Sequence, residues 1–235
     1  MPDLKLFQRR QVWVPTWQGW ILLLGLPVVV AVLIFWGAYP FLNMNHPIGR
    51  GSLVVEGWMS KRQMADARAV YQKGKYGLVI CTGGPLGRDS YLRELYPDYS
   101  TLAEVGANQL RSFGLPNVQA VPRPDVDKDR TYYSALALRK WLVDTGREGT
   151  HLDVLSTGPH SRRSWMLFQA ALEDVAIVGV IPVDPMGYDP HRWWVTSAGV
   201  RSMIGELIAY GYAKFLFYPN PEQDLKTLLN EGNSQ

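Results

Sequence analysis

Cysteine is nearly absent: Cys81 is the only one among 235 residues, so no intramolecular disulfide can form and the fold must rest on its core. Histidine is sparse too, and His46, His151, His160 and His191 lack the spacing of a zinc site. Asp125, Asp127 and Asp129 alternate like a calcium loop, but Arg130 stands where that loop needs glycine and Leu136 where it needs an acid. No metal site is therefore expected. There is no Gly-x-Ser-x-Gly elbow, and Thr82-Gly83-Gly84 is too short for a P-loop or a dinucleotide fingerprint. No internal repeat is present. A basic surplus on the folded part is also missing. The net charge is +3, yet from residue 51 onward acidic and basic residues are equal in number. The excess comes from Lys5, Arg9, Arg10 and Arg50, opposed by Asp3. A nucleic-acid binder carries its positive charge on the domain, so that class is excluded.

The longest absence is of charge itself: none occurs between Arg10 and Arg50. Within that gap Trp20 to Trp36 is almost wholly apolar, and extension to residues 17–40 gives a segment able to cross about 30 Å of hydrocarbon. Trp13, Trp17 and Trp20 near one end and Trp36 and Tyr39 near the other suit the two membrane interfaces. A cleaved signal peptide is the competing reading, but the apolar run exceeds a typical signal core and no Ala-x-Ala site follows it. Basic residues precede the span. Residues 1–16 are thus expected to be cytoplasmic, residues 17–40 a signal anchor of the plasma (inner) membrane, and the domain extracytoplasmic.

Beyond the anchor, short β-rich runs alternate with helical stretches, which predicts one α/β domain over residues 51–218. Strands are expected at Leu53–Trp58, Leu78–Gly84, Val118–Pro122, His151–Thr157 and Ala176–Val183. Helices are expected at Lys61–Lys73, Thr101–Phe113, from an Asp129 cap to Asp144, at His160–Leu172 and at Thr196–Phe217. Residues 85–99 read as an irregular excursion and 219–235 as a polar, frayed tail. Right-handed crossovers make this a Rossmann-like three-layer sandwich around a mainly parallel five-stranded sheet.

Ligands of such sheets bind beyond the carboxyl ends of the strands. That rule selects Glu56 at the first strand exit, the Gly83-Gly84 turn, Arg130 and Thr131 entering a helix, and the segment from Ser156 to Arg163. In the last, Thr157, His160 and Arg163 surround a helix start, where backbone N–H groups and a guanidinium fork favour an anion. Glu56 has Arg68 and Arg130 as candidate counter-charges. Thr101 and Glu104 have capping-box spacing, which accounts for the glutamate without a ligand. Cys81 lies in an apolar strand and reads as core. The Pro/Gly/aromatic segment Asp184 to Trp194 reads as a lid, an interfacial loop or a packed surface loop.

The order of an anchor, Val-Val-Glu56-Gly-Trp, Thr-Gly83-Gly84, a helix bearing Glu104, Arg130-Thr131-Tyr-Tyr-Ser-Ala135 and Ser-Thr157-Gly-Pro-His160-Ser-Arg-Arg163 resembles the YdcF/SanA/ElyC family of membrane-anchored domains. This chain departs from the family's more usual Asn-Thr-x-x-Asn-Ala at residues 130–135, and from its glycine-rich first turn at Glu56. The resemblance implies a Rossmann-like domain serving cell-envelope biogenesis or barrier maintenance, in peptidoglycan or lipid-carrier metabolism. It adds weight to Glu104, Thr131, His160 and Arg163, and supplies no cofactor, reaction or protein partner. The expected ligand is an anionic, phosphate-bearing envelope metabolite, with His160 or Glu56 moving protons. Two alternatives stand beside it: a scaffold docking a partner through Arg192-Trp193-Trp194, and a nucleotide or methyl-donor binder.

Overall fold

The structure, a computed structural model, describes residues 12–87, 91–127 and 129–232. The chain divides into two compact units, with the boundary between Ala38 and Tyr39. Helix α1 (Trp17–Leu42) runs for 26 residues and contains an 18-residue stretch of mean hydropathy 2.7, long and apolar enough to cross a membrane. Its last turn, Tyr39–Leu42, belongs to the second unit. The domain thus begins before the expected residue 51.

The second unit is a three-layer α/β sandwich. Its sheet is wholly parallel in the order β3-β2-β1-β4-β5, formed by β1 (Arg50–Glu56), β2 (Lys75–Gly83), β3 (Val118–Pro122), β4 (Thr150–Thr157) and β5 (Ala176–Val183). Period-2 alternation divides the strands between two cores. Leu53, Val55, Val79 and Cys81 face α2 (Lys61–Lys73) and α4 (Leu102–Ser112). Val54, Ile80, Leu152 and Val154 face α5 (Arg130–Asp144) and α6 (Ser161–Leu172). Register pairs Glu56 with Thr82, and Val55 with both Cys81 and Leu155, so the strand exits share one edge. Strand order reverses between β1 and β4, and Glu56 and Ser156 sit at that switch point.

Several elements differ from expectation. Residues 85–99 include a short helix, α3 (Tyr91–Leu95). Asp129 does precede α5, but from a left-handed conformation (φ 48°) and without a side-chain cap hydrogen bond. A 3-10 turn, Gly158–His160, precedes α6, so His160 stands just outside that helix. Helix α7 (Ser197–Phe215) is capped by Thr196, and its apolar stripe is only partly covered: Met203 is buried, whereas Ile204, Ile208 and Phe215 are exposed. Residues 221–232 are not a frayed tail. They form α8 (Pro221–Gly232), joined to α5 by Tyr132 Oη donating to Asp224 at 2.9 Å.

Residues 39–49 strap the domain at the β5 edge of the sheet. His46 makes an antiparallel bridge to Val180. The N–H groups of Ile48 and Gly49 donate to the two carboxylate oxygens of Asp153 at 2.8 and 2.7 Å. Asp153 is wholly buried and also accepts from Tyr76 Oη at 2.6 Å, so a carboxylate inside a strand is fully satisfied.

Candidate functional site

Glu56 ends β1 inside the protein, 2% exposed. It accepts hydrogen bonds from the hydroxyls of Ser156, on β4, and Ser164, on α6, and lies 3.7 Å from His160 Nε2. The expected counter-charges, Arg68 and Arg130, make no ion pair with it; His160 does. On the other side of the ring, Nδ1 is 3.0 Å from Glu206 Oε1, and Glu206 also receives a two-pronged contact from Arg163 at 2.9 and 3.1 Å. Arg163 Nη2 also lies 2.9 Å from His160 Nδ1, so Glu56, His160, Glu206 and Arg163 form one connected cluster of charge on the face of a cleft.

The electrostatics follow from this order. Burial pushes His160 toward its neutral form, but the two flanking carboxylates outweigh it and raise its pKa to about 9. Burial likewise opposes ionisation of Glu56 and Glu206. Contact with the imidazolium, aided by Ser156 and Trp58, holds Glu56 below its ordinary value; contact with His160 and Arg163 brings Glu206 to about 2. The two carboxylates thus favour the imidazolium, with the Arg163 guanidinium beside Nδ1 opposing it. The ring's Nδ1–H is engaged by Glu206. Its Nε2–H has only longer neighbours, Glu56 and, at 3.5 Å, Thr131 Oγ1. Trp58 stands edge-on to the ring with centroids 5.0 Å apart, screening it from water.

The site has two chambers. One, of about 500 Å³, is lined by His160, Arg163, Glu206, Trp58, Arg130 and Thr131, with Leu167, Ala209 and Ala213 as its apolar side. The other, of about 150 Å³, lies over Glu56, Thr82, Gly83, Gly84 and Arg123. Trp58, Arg130 and Thr131 line both and divide them. A hollow of about 540 Å³ at the opposite edge is lined by strand starts such as Gly51, Ser52 and Gly77, and by Arg147, with no comparable charge chain.

Of the residues chosen from sequence, Glu56, Gly83, Gly84, Arg130, Thr131, His160 and Arg163 meet around these chambers. Two do not. Glu104 is taken up by the capping box with Thr101 and by Ser100. Burial raises its pKa and those hydrogen bonds lower it, with a net fall. The Thr157 hydroxyl accepts from Gln63 Nε2 at 2.9 Å instead of facing the cleft. Arg163 is present but bound to Glu206, so it orders the site more than it offers a free fork. Glu206, Ser156, Ser164 and Arg123 escaped sequence reading. The serines had a signal, because Ser156 opens the segment already singled out and Ser164 lies one residue beyond its end. Glu206 had none: it lies inside a mainly apolar helix 46 residues beyond His160.

Cys81 is core as expected, its thiol driven up to about 12 by burial, with Arg111 opposing. No group of three or more His, Cys, Asp or Glu placed to hold a metal ion occurs among the described residues. No family model, curated protein or solved structure matches the chain, so the site is read from its own geometry.

Proposed function

We propose that the chain is a membrane-anchored domain on the outer face of a plasma membrane, which binds and processes an anionic, phosphate-bearing metabolite of the cell envelope. The resemblance to the YdcF/SanA/ElyC family supports the envelope role. The observation that carries the chemical part is the buried Glu56–His160–Glu206–Arg163 chain at the switch point of the sheet. A histidine raised to about 9 is poorly suited to accept a proton at neutral pH and well suited to donate one. In this reading His160 Nε2–H serves the oxygen on which charge develops. Glu206 fixes the ring through Nδ1, and Thr131 adds a hydroxyl beside the reacting atom.

In the loop of the partner-docking alternative Trp193 is packed inward at 7% exposure, while Arg192 is exposed and Trp194 half-buried. The test uses the full-length protein in detergent, assayed against phosphate monoesters and an envelope-lipid extract. His160→Gln should lower turnover at least about a hundredfold, the usual scale of a lost general acid. Its melting temperature serves as a folding control, because removing the ring leaves Glu56 buried without its partner. Undiminished turnover in a folded His160→Gln protein would sink the proposal.

A further inference from the structure

The charge chain is balanced within itself: Glu56 and Glu206 are matched by His160 and Arg163. Two more arginines stand at the same sheet edge outside that balance. Arg123 follows β3 and is 8% exposed; Arg130 opens α5. Among the described residues neither forms a salt bridge. Among the described residues, the hydrogen bond that Arg123 makes is from Nη1 to the carbonyl of Pro124, at 2.7 Å, with donors of its fork left over for a ligand. Burial lowers its proton affinity, the like charge of Arg130 lowers it further, and Asp125 only partly compensates.

A buried guanidinium beside a second one is costly unless an anion joins them. The surroundings are shaped for one. Gly84 lacks the Cβ that would come within 2.3 Å of Arg123 Cζ, so glycine is what allows the guanidinium to seat against the turn. The hydroxyl-bearing residues Thr131 and Ser134 line the same chamber, and the one carboxylate in its lining, Glu56, is already engaged by Ser156, Ser164 and His160. The first turn of α5, whose N–H groups favour negative charge, has no side-chain cap.

We propose that the 150 Å³ chamber is an oxyanion subsite in which Arg123 and Arg130 hold the phosphoryl group of a phosphate monoester, while the rest of the ligand lies across Trp58 in the larger cleft. This rests on the phosphate-bearing ligand proposed above and adds where its charge is held. The larger cleft offers Leu167, Ala209 and Ala213 to an apolar remainder, so free phosphate and a lipid headgroup are both chemically admissible.

Calorimetric titration of the detergent-solubilised, full-length protein separates these sources. Inorganic phosphate should bind, and binding should weaken about tenfold or more in Arg130→Ala, the scale of a lost charge-assisted hydrogen bond. Arg130 is exposed, so that variant is expected to keep its fold. Arg123→Lys keeps the charge but loses the fork, and should weaken binding as well. Arg147→Ala, at the opposite edge, should leave affinity unchanged. Dodecyl phosphate binding more tightly than inorganic phosphate identifies a lipid headgroup; equal affinities identify a soluble ligand. Failure of both probes to bind, or binding indifferent to Arg130→Ala and Arg123→Lys, overturns the subsite. That failure is distinct from the failure of His160: a subsite that binds phosphate through Arg130, in a protein whose turnover ignores His160→Gln, sustains this inference and rejects the proton-donor role.

Discussion

Glu206 is the side chain on which the state of His160 turns. It is the anion facing Nδ1, and His160 first, then Arg163, hold it at low pKa against burial. Replacing it with glutamine keeps the shape and removes the charge. The imidazole of Glu206→Gln should therefore titrate well below about 9, read directly from its ring resonances by NMR. Ser156 and Ser164 are the hydroxyl donors to a carboxylate that has almost no access to water. Ser164→Ala should cost roughly 1–3 kcal/mol in chemical denaturation, because it leaves a buried acceptor short of a donor. At this scale the sequence was informative where a residue followed a strand. Glu56, Thr131 and His160 stand at strand exits or helix starts, where topology alone says what faces the cleft. It was silent where long-range packing chose the partner, as with Glu206. At Arg163 it pointed to the cleft without showing that Glu206 would be the neighbour.

Elements were legible in proportion to their periodicity. The five strands are apolar runs bounded by turn residues, and each occurs within a few residues of its expected place. Capping chemistry is readable at α4, where Thr101 and Glu104 satisfy each other, and α2 carries an equivalent Ser60–Gln63 box. Helix α8 was missed because its sequence is polar; it is held by α5 through Tyr132 and Asp224, a contact with no local signature. The close approach of α4 to β2 was equally hidden. A Cβ on Gly106 would lie 2.4 Å from the Cys81 sulfur. Gly106→Ala should accordingly destabilise the domain by roughly 1–3 kcal/mol through overpacking, despite the better helix propensity of alanine, with thermal melting as the check.

For the whole molecule, the charge chain sets the pH range of greatest stability. His160, raised to about 9, contributes fully below its ordinary 6.5, and the contribution disappears as pH climbs through 9. Glu56 and Glu206, both depressed, contribute fully above their ordinary 4.5, and Glu206 loses its share as pH falls toward 2. Melting temperature should thus be highest between about 4.5 and 6.5 and decline on either side. The sandwich class and the long apolar helix were legible as patterns of hydrophobicity, whereas the domain limit was not. Fragment 39–235 should fold and fragment 51–235 should melt lower, because only the first retains the amides that satisfy Asp153. The same strap has a colloidal consequence. Strand β5 is the rim of the sheet, a row of open backbone donors and acceptors, and His46 occupies those of Val180. The opposite rim, β3, is five residues long and ends in Pro122, a poor template for further pairing. A chain shortened past residue 49 would expose β5 to its own copies, and its weakness should appear as concentration-dependent aggregation before it appears as unfolding.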